Sequence, residues 1–155
     1  MEQLTDEERG WVPYTNGQTV LFQNTSTSAI DTLQVWTKDD KKYGSSSRCH
    51  DAVIGLTCQL WFNAFSGGGG SSVYIKVDHG QNPKVSIPSG GGGEYILNGS
   101  PQTMTVNSIS YSDIYSVSID SSTTTSAGAP WKIEYSKSKG FVRFYMKGGN
   151  IYTKL

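Results

Sequence analysis

Apolar and polar residues alternate along most of this chain, and residues 131–155 show the pattern most clearly. Aromatic and β-branched runs there are separated by glycine-bearing turns, which is typical of a three-stranded antiparallel meander. The runs are Trp131–Tyr135, Phe141–Met146 and Ile151–Leu155. Strand side chains alternate between two faces, so Trp131, Ile133 and Tyr135 are predicted to share one face. The middle run is apolar on both faces, which predicts that it is the central strand.

The same two-residue rhythm predicts strands earlier in the chain. They are Thr19–Gln23, Ile30–Lys38, Ala52–Phe65, Val73–Val77, Lys84–Ile87, Tyr95–Leu97, Thr103–Tyr111 and Ile114–Ile119. The longest has a continuous apolar face, made of Ile54, Leu56, Cys58, Leu60 and Phe62. A charge cluster and a serine run predict a long loop between Asp39 and Arg48.

About ten short strands with mostly local connections indicate an all-β antiparallel meander. Closure would remove the exposed strand edges. We therefore predict a barrel or a strongly curved half-barrel, lipocalin-like in outline, with two packed layers as the alternative. The length of 155 residues suits a single domain. Residues 11–155 are expected to form it, preceded by a disordered or short N-terminal tail at residues 1–10.

The charge balance excludes one class of partner. Thirteen basic and thirteen acidic residues cancel, so no field attracts nucleic acid or an anionic membrane surface. No run approaches the roughly 18 apolar residues of a membrane-spanning helix. Charged residues make up only 17% of the chain, against about 25% in ordinary soluble domains. Serine, threonine, glycine and asparagine take their place, as is common in exported β-proteins.

The start of the chain shows no export signal, because Glu2 follows Met1 with no basic and no apolar segment. One interpretation is a cytoplasmic protein. The other, which the composition favours, is an exported protein whose signal has been removed. We therefore expect a location in the periplasm or at the outer-membrane surface.

The sequence Arg48-Cys49-His50-Asp51 holds a thiol, an imidazole and a carboxylate. Adjacent residues of an extended chain point in opposite directions, and the ligand spacing of structural zinc sites is missing, so neither thiol catalysis nor a zinc site is favoured. A disulfide between Cys49 and Cys58 is the more plausible role. It requires the chain to double back near Gly55, because bridged Cα atoms lie within about 7 Å. Otherwise Cys58 is a core thiol.

No motif in the sequence indicates a cofactor or an enzyme. The tetraglycines lack the Gly-Lys-Ser/Thr of phosphate-binding loops, the carboxylates are scattered rather than paired, and no serine sits in a nucleophile elbow. We expect no cofactor, no metal and no catalytic residues.

Aromatic side chains provide the one indication of a binding surface. The alternation places Trp36, Trp61 and Tyr152 on outer faces of their strands, and exposed Trp or Tyr can stack on sugar rings or anchor a protein. They are our candidate ligand-binding residues. The alternative is that both sheet faces are covered, or that the strand phase is shifted by one residue.

Two stretches support a resemblance. The opening Gly-Trp-Val-Pro-Tyr-Thr-Asn-Gly-Gln-Thr-Val-Leu-Phe with Asp31-Thr32-Leu33, and the closing Ile-Glu-Tyr-Ser-Lys-Ser-Lys-Gly-Phe-Val-Arg-Phe, resemble small envelope lipoproteins of the Bacteroidetes, whose function is unknown. Glu134-Tyr135 stands where two aromatic residues are usual in that group. The resemblance implies an all-β envelope protein that contacts the membrane only through a lipid anchor. The cysteine that bears the lipid would lie upstream of Met1, in the part removed with the signal peptide.

These observations favour a non-catalytic, exported binding module whose partner is a protein, a glycan or a small apolar ligand. One alternative is a lipocalin-like carrier of a small apolar ligand in a hollow interior. The other is a hydrolase whose residues meet only in space, for which Asp51, His50 and His79 are the candidates.

Overall fold

The computed structural model of the protein describes residues 3–42, 52–62, 71–87, 93–119 and 129–155, with backbone alone at 41, 42, 52–54, 62 and 71. These residues form one short helix, α1 (Asp6–Arg9), and strands that account for most of the rest. The strands are β1 (Thr19–Asn24), β2 (Ile30–Lys42), β3 (Ala52–Phe62), β4 (Ser71–Asp78), β5 (Lys84–Ser86), β6 (Glu94–Ile96), β7 (Gln102–Val106), β8 (Ile109–Ser118), β9 (Pro130–Ser136), β10 (Gly140–Met146) and β11 (Ile151–Lys154).

All eleven strands belong to one sheet, in the order β6-β5-β4-β3-β2-β1-β11-β10-β9-β8-β7. Every neighbouring pair is antiparallel, and the sheet curls into a half-barrel, which confirms the predicted fold class. The two edge strands, β6 and β7, are consecutive in sequence, so the chain itself crosses the opening of the half-barrel. Strand β10 lies between β9 and β11, as predicted for the middle run of the closing meander.

The inner face of the sheet is filled by side chains. Phe144 contacts Phe22 and Phe141 with ring centroids 5.2 and 5.3 Å apart, and Tyr135 meets Phe141 edge-on at 4.9 Å. The predicted core face of β3 is confirmed where side chains are described, since Cys58 and Leu60 are fully buried and Leu56 packs against the core. Ile54 and Phe62 have side chains outside the described set.

The N-terminal segment closes one end of the half-barrel. Residues 6–9 form a single helical turn with a capping box between Thr5 and Glu8, and Leu4 is buried in the main core. The Tyr14 hydroxyl accepts a hydrogen bond of 2.6 Å from the backbone N–H of Phe141. The hydroxyl of Tyr135 donates to the carbonyl of Trp11. The predicted tail is therefore a short docked element.

One predicted strand is wrong. Thr103–Tyr111 is not a single strand, because Asn107 and Ser108 have φ angles of 49° and 63° and form the tight turn between β7 and β8. Two residues of positive φ match the twist of a two-residue hairpin. The predicted strand Ile114–Ile119 correspondingly lies, except for Ile119, within the longer strand β8.

Two bulges change part of the predicted faces of the closing meander, although Ile133 and Tyr135 share the inner face as predicted. The β9–β10 pairing skips Val142 and Trp131, and each bulge changes which side of the sheet the next side chains face. Trp131 is consequently 40% exposed, whereas Ile133 and Tyr135 are fully buried. Phe141 joins Phe144 in the core, although they are three positions apart and uninterrupted alternation would place them on opposite faces.

The β7–β8 hairpin folds back over the outside of the sheet. Its tip reaches β11, where Asn107 Nδ2 donates to the carbonyl of Lys154 at 3.0 Å. Beneath it lies a second apolar cluster, composed of Val106, Tyr111, Ile114 and Val142 with Met104 against them.

The loop predicted at Asp39–Arg48 is also wrong at its start, because β2 continues through Asp39 and Asp40 to Lys42. The remainder of that prediction lies outside the described residues. Within the described parts of the chain, no helix has the length and apolar character needed to span a membrane.

Candidate functional site

The structure brings two of the three predicted aromatic residues together. On the outer face, Gln34 of β2 lies directly opposite Trp61 of β3, and Trp36 lies opposite Gln59. The tryptophans are thus diagonal neighbours, each facing a glutamine across the strand pair. They are 44% and 48% exposed, as the strand alternation predicts for the outer face.

Both glutamines are held by hydroxyl groups of flanking strands. Gln59 Nε2 donates to the Tyr74 hydroxyl of β4 at 2.7 Å, and Gln34 Nε2 donates to Thr19 Oγ1 of β1 at 3.3 Å. Gln59 is only 5% exposed, so its amide forms part of the floor between the two indoles. Hydrogen bonds of this kind fix polar groups before a ligand arrives.

These side chains line a shallow cleft of about 530 Å³, within the range of small-ligand sites. Its lining consists of Gln34, Val35, Trp36, Gln59 and Trp61. None of these residues is ionisable. The cleft can therefore stack flat apolar surfaces and exchange neutral hydrogen bonds, and it offers no group for acid–base or nucleophilic chemistry.

Tyr152 does not belong to this surface. It is 7% exposed and lies in the main core, so its predicted outer position is wrong. The reason is register: Tyr152 pairs with Phe144 of β10, and partners in an antiparallel pair face the same side. Because Phe144 faces the interior, Tyr152 does so as well.

The disulfide prediction is wrong for Cys58. Its thiol is free and buried in the middle of the continuous strand β3, which does not double back near Gly55. Burial raises the pKa of the Cys58 thiol to about 12, so it stays protonated at neutral pH and lacks the thiolate that a nucleophile needs. Cys49 lies outside the described residues.

Of the three residues proposed for a hydrolase, His79 alone lies in the described part of the chain. His50 and Asp51 lie outside the described residues. His79 contacts a different carboxylate, with Nδ1 3.1 Å from Glu8 Oε2. No group of three potential metal ligands occurs among the residues that the structure describes.

The sequence reasoning missed a buried ionic cluster on the outer face of β9 and β10. Glu134 is fully buried, with Oε1 3.2 Å from Lys132 Nζ and 3.1 Å from the Tyr145 hydroxyl that donates to it. Arg143 Nη1 donates to Tyr145 at 2.8 Å and lies 3.6 Å from Glu134 Oε2. One carboxylate thus balances two cations beneath an aromatic ring. The Lys-Ile-Glu and Arg-Phe-Tyr alternations placed these residues on one face, but only the register shows that they meet.

A second cleft of about 330 Å³ lies where the sheet is open. Leu97 and Gly99 line it from the connection between β6 and β7, Gln102 lines it from the start of β7, and Tyr115 lines it from β8. Among the residues that the structure describes, no carboxylate lines either of these two clefts.

Comparisons of the chain with family models, curated proteins and solved structures find no match. The geometry of the chain's own residues therefore carries the functional argument.

Proposed function

We propose that this protein is a non-catalytic, exported envelope protein that binds its partner on the outer face of the half-barrel. The observation that carries the proposal is the pairing of Trp36 and Trp61 over two braced glutamines. Exposed tryptophans are costly on a strand that faces water, and clustered aromatic side chains are typical of binding hot spots. The export part of the proposal rests on the low charge content and on the resemblance of the chain ends to envelope lipoproteins.

The first test compares partner binding by three forms of the protein. The wild type, the double variant Trp36→Ala/Trp61→Ala and the control Trp131→Ala are passed over a glycan array and a panel of purified envelope proteins. Trp131 is an exposed tryptophan of the same sheet, far along it from the cleft. We expect a partner that is lost by the double variant and kept by the control. If every partner found is retained by the double variant, the proposed surface is wrong.

The packed interior does not favour the carrier of apolar ligands. The described aromatic rings of the inner face, on β1 and β10, contact one another and occupy the space that a ligand would need in that part of the interior. Titration with the apolar dye N-phenyl-1-naphthylamine tests this. We expect no saturable fluorescence increase, whereas saturable binding that is unchanged in the double variant would favour the carrier.

A further inference from the structure

We infer that the Trp36–Trp61 cleft takes a neutral oligosaccharide, an inference that rests on the proposed function and names its ligand class. The described lining of the cleft carries no charge, since none of its five residues has an ionisable group. A charged ligand would give up part of its hydration there without gaining a partner of opposite charge from these five residues, which is unfavourable.

Indole rings and carboxamide groups alternate on the surface of the cleft. Each indole lies directly opposite a carboxamide, so apolar and hydrogen-bonding surfaces alternate over a few ångströms. A sugar ring has the matching pattern, with an apolar face of C–H groups and a rim of hydroxyls. Indole rings stack on the first, and a carboxamide both donates to and accepts from the second. A purely apolar ligand would leave the amides unpaired, at a cost.

The two glutamine amides of the cleft are held in place before a ligand binds. The Nε2 donations of Gln59 to Tyr74 and of Gln34 to Thr19 each use one amide hydrogen. The second hydrogen and the amide oxygen are the groups that remain to pair with ligand hydroxyls. Because the amides are already held, little conformational entropy is lost on binding.

The distance between the two tryptophans sets the length of the ligand. Diagonal neighbours in an antiparallel sheet lie about 7–8 Å apart, which is more than one sugar ring covers. We therefore expect the cleft to bind a chain of at least two sugar residues, and a monosaccharide much more weakly.

The test is isothermal titration of the full chain with maltohexaose, cellohexaose, xylohexaose and mannohexaose, with glucose and hexagalacturonate as comparators. At least one neutral hexaose is expected to bind. Its affinity is expected to fall about tenfold or more in Trp36→Ala and in Trp61→Ala, and to stay unchanged in Trp131→Ala. Hexagalacturonate and glucose are expected to bind at least about tenfold more weakly than that hexaose.

Gln34→Leu separates sugar recognition from general apolar adhesion. The variant keeps the approximate volume of an exposed side chain while removing its amide. Sugar binding is expected to weaken, whereas adhesion of an apolar ligand would strengthen. Circular dichroism spectra that match the wild type establish that each variant is folded.

Negative results would separate the oligosaccharide inference from the proposed binding surface. If no neutral hexaose binds, or if binding survives both tryptophan changes, the oligosaccharide inference is wrong. If the array experiment nevertheless finds a charged or protein partner that depends on Trp36 and Trp61, the proposed binding surface stands with a different ligand. If no partner depends on the pair, both proposals fall.

Discussion

At the scale of single residues, the most unusual group is the buried carboxylate of Glu134. A buried charge is tolerated where opposite charges and hydrogen bonds replace water. Lys132 and Tyr145 do this for Oε1 of Glu134, whereas Oε2 has the Arg143 guanidinium at 3.6 Å and no hydrogen bond. Removing the carboxylate leaves two cations facing each other at the same place. The cluster therefore stabilises the β9–β10 pair only as a complete set.

Glu134→Ala is expected to lower the free energy of unfolding by about 3–5 kcal/mol, the cost of breaking a buried ion pair from one side. Glu94→Ala is the matched control, because Glu94 also pairs with a lysine but is 54% exposed. Its removal is expected to cost no more than about 1 kcal/mol. Urea denaturation of the wild type and both variants measures these losses in the free energy of unfolding. Equal costs would show that the buried cluster adds nothing.

A second residue-scale prediction concerns Gly140, which has a φ of +81° and lies against Tyr14. A Cβ at this position would lie 2.1 Å from the Tyr14 hydroxyl oxygen, far inside contact distance. Gly149 is the matched control, since its φ is +91° and a Cβ there meets nothing within 4 Å. Gly140→Ala is expected to destabilise the protein by about 1–3 kcal/mol more than Gly149→Ala, because overpacking adds to backbone strain. Equal melting temperatures for the two variants would contradict the docked position of Tyr14.

At the scale of elements, the docking of α1 depends on one carboxylate. The Glu8 side chain accepts hydrogen bonds from the backbone N–H groups of Gly80 at 2.7 Å and of Thr5 at 2.7 Å, and it also contacts His79. These contacts lower the pKa of Glu8 from its ordinary value of 4.5 to about 2, with the Gly80 bond contributing most. The helix is thereby attached to the turn that follows β4.

The lowered pKa of Glu8 has a defined pH signature. A depressed folded-state pKa gives stability that is fully present above the unfolded value and is lost as the pH falls through the folded one. Docking of α1 is therefore expected to weaken between about pH 4.5 and pH 2, and Trp11 fluorescence, two residues after the helix, reports it. Glu8→Gln is expected to remove this step, whereas Glu7→Gln, whose side chain is 83% exposed, leaves it. A step that persists in Glu8→Gln would assign it to another group.

Comparison of the predicted and observed strands shows which features the alternation of apolar and polar residues can predict. Alternation located β1, the start of β2 and the core face of β3 from Leu56 onward. The reason is that β1 pairs with β2 without interruption, and β2 pairs with β3 without interruption between Gln34–Trp61 and Asp40–Gly55. It failed at Asn107–Ser108, where two residues of positive φ end a strand inside an apparently continuous run. It failed again at the bulges of Trp131 and Val142. A bulge is a property of two strands together, so the sequence of one strand does not reveal it.

At the scale of the whole molecule, pairing decides which surfaces are available for binding. The sequence placed Trp36 and Trp61 on outer faces, but only the β2–β3 register places them side by side with a glutamine opposite each. The same kind of information removed Tyr152 from the candidate site, because its register with Phe144 turns it inward. The inner face carries the buried apolar side chains of the core, and the paired tryptophans lie on the other face, which directs the search for a ligand to the outside of the half-barrel.

The four tryptophans of the chain allow the most direct test of that conclusion. Each has one indole N–H signal in a ¹H–¹⁵N correlation spectrum, assigned by single Trp→Phe substitutions. During titration with the neutral hexaose that binds best, the signals of Trp36 and Trp61 are expected to shift together along one saturating curve. Those of Trp11, packed beside the core, and of Trp131 are expected to stay in place. Shifts confined to Trp11 or Trp131, with Trp36 and Trp61 unmoved, would contradict binding at the outer cleft.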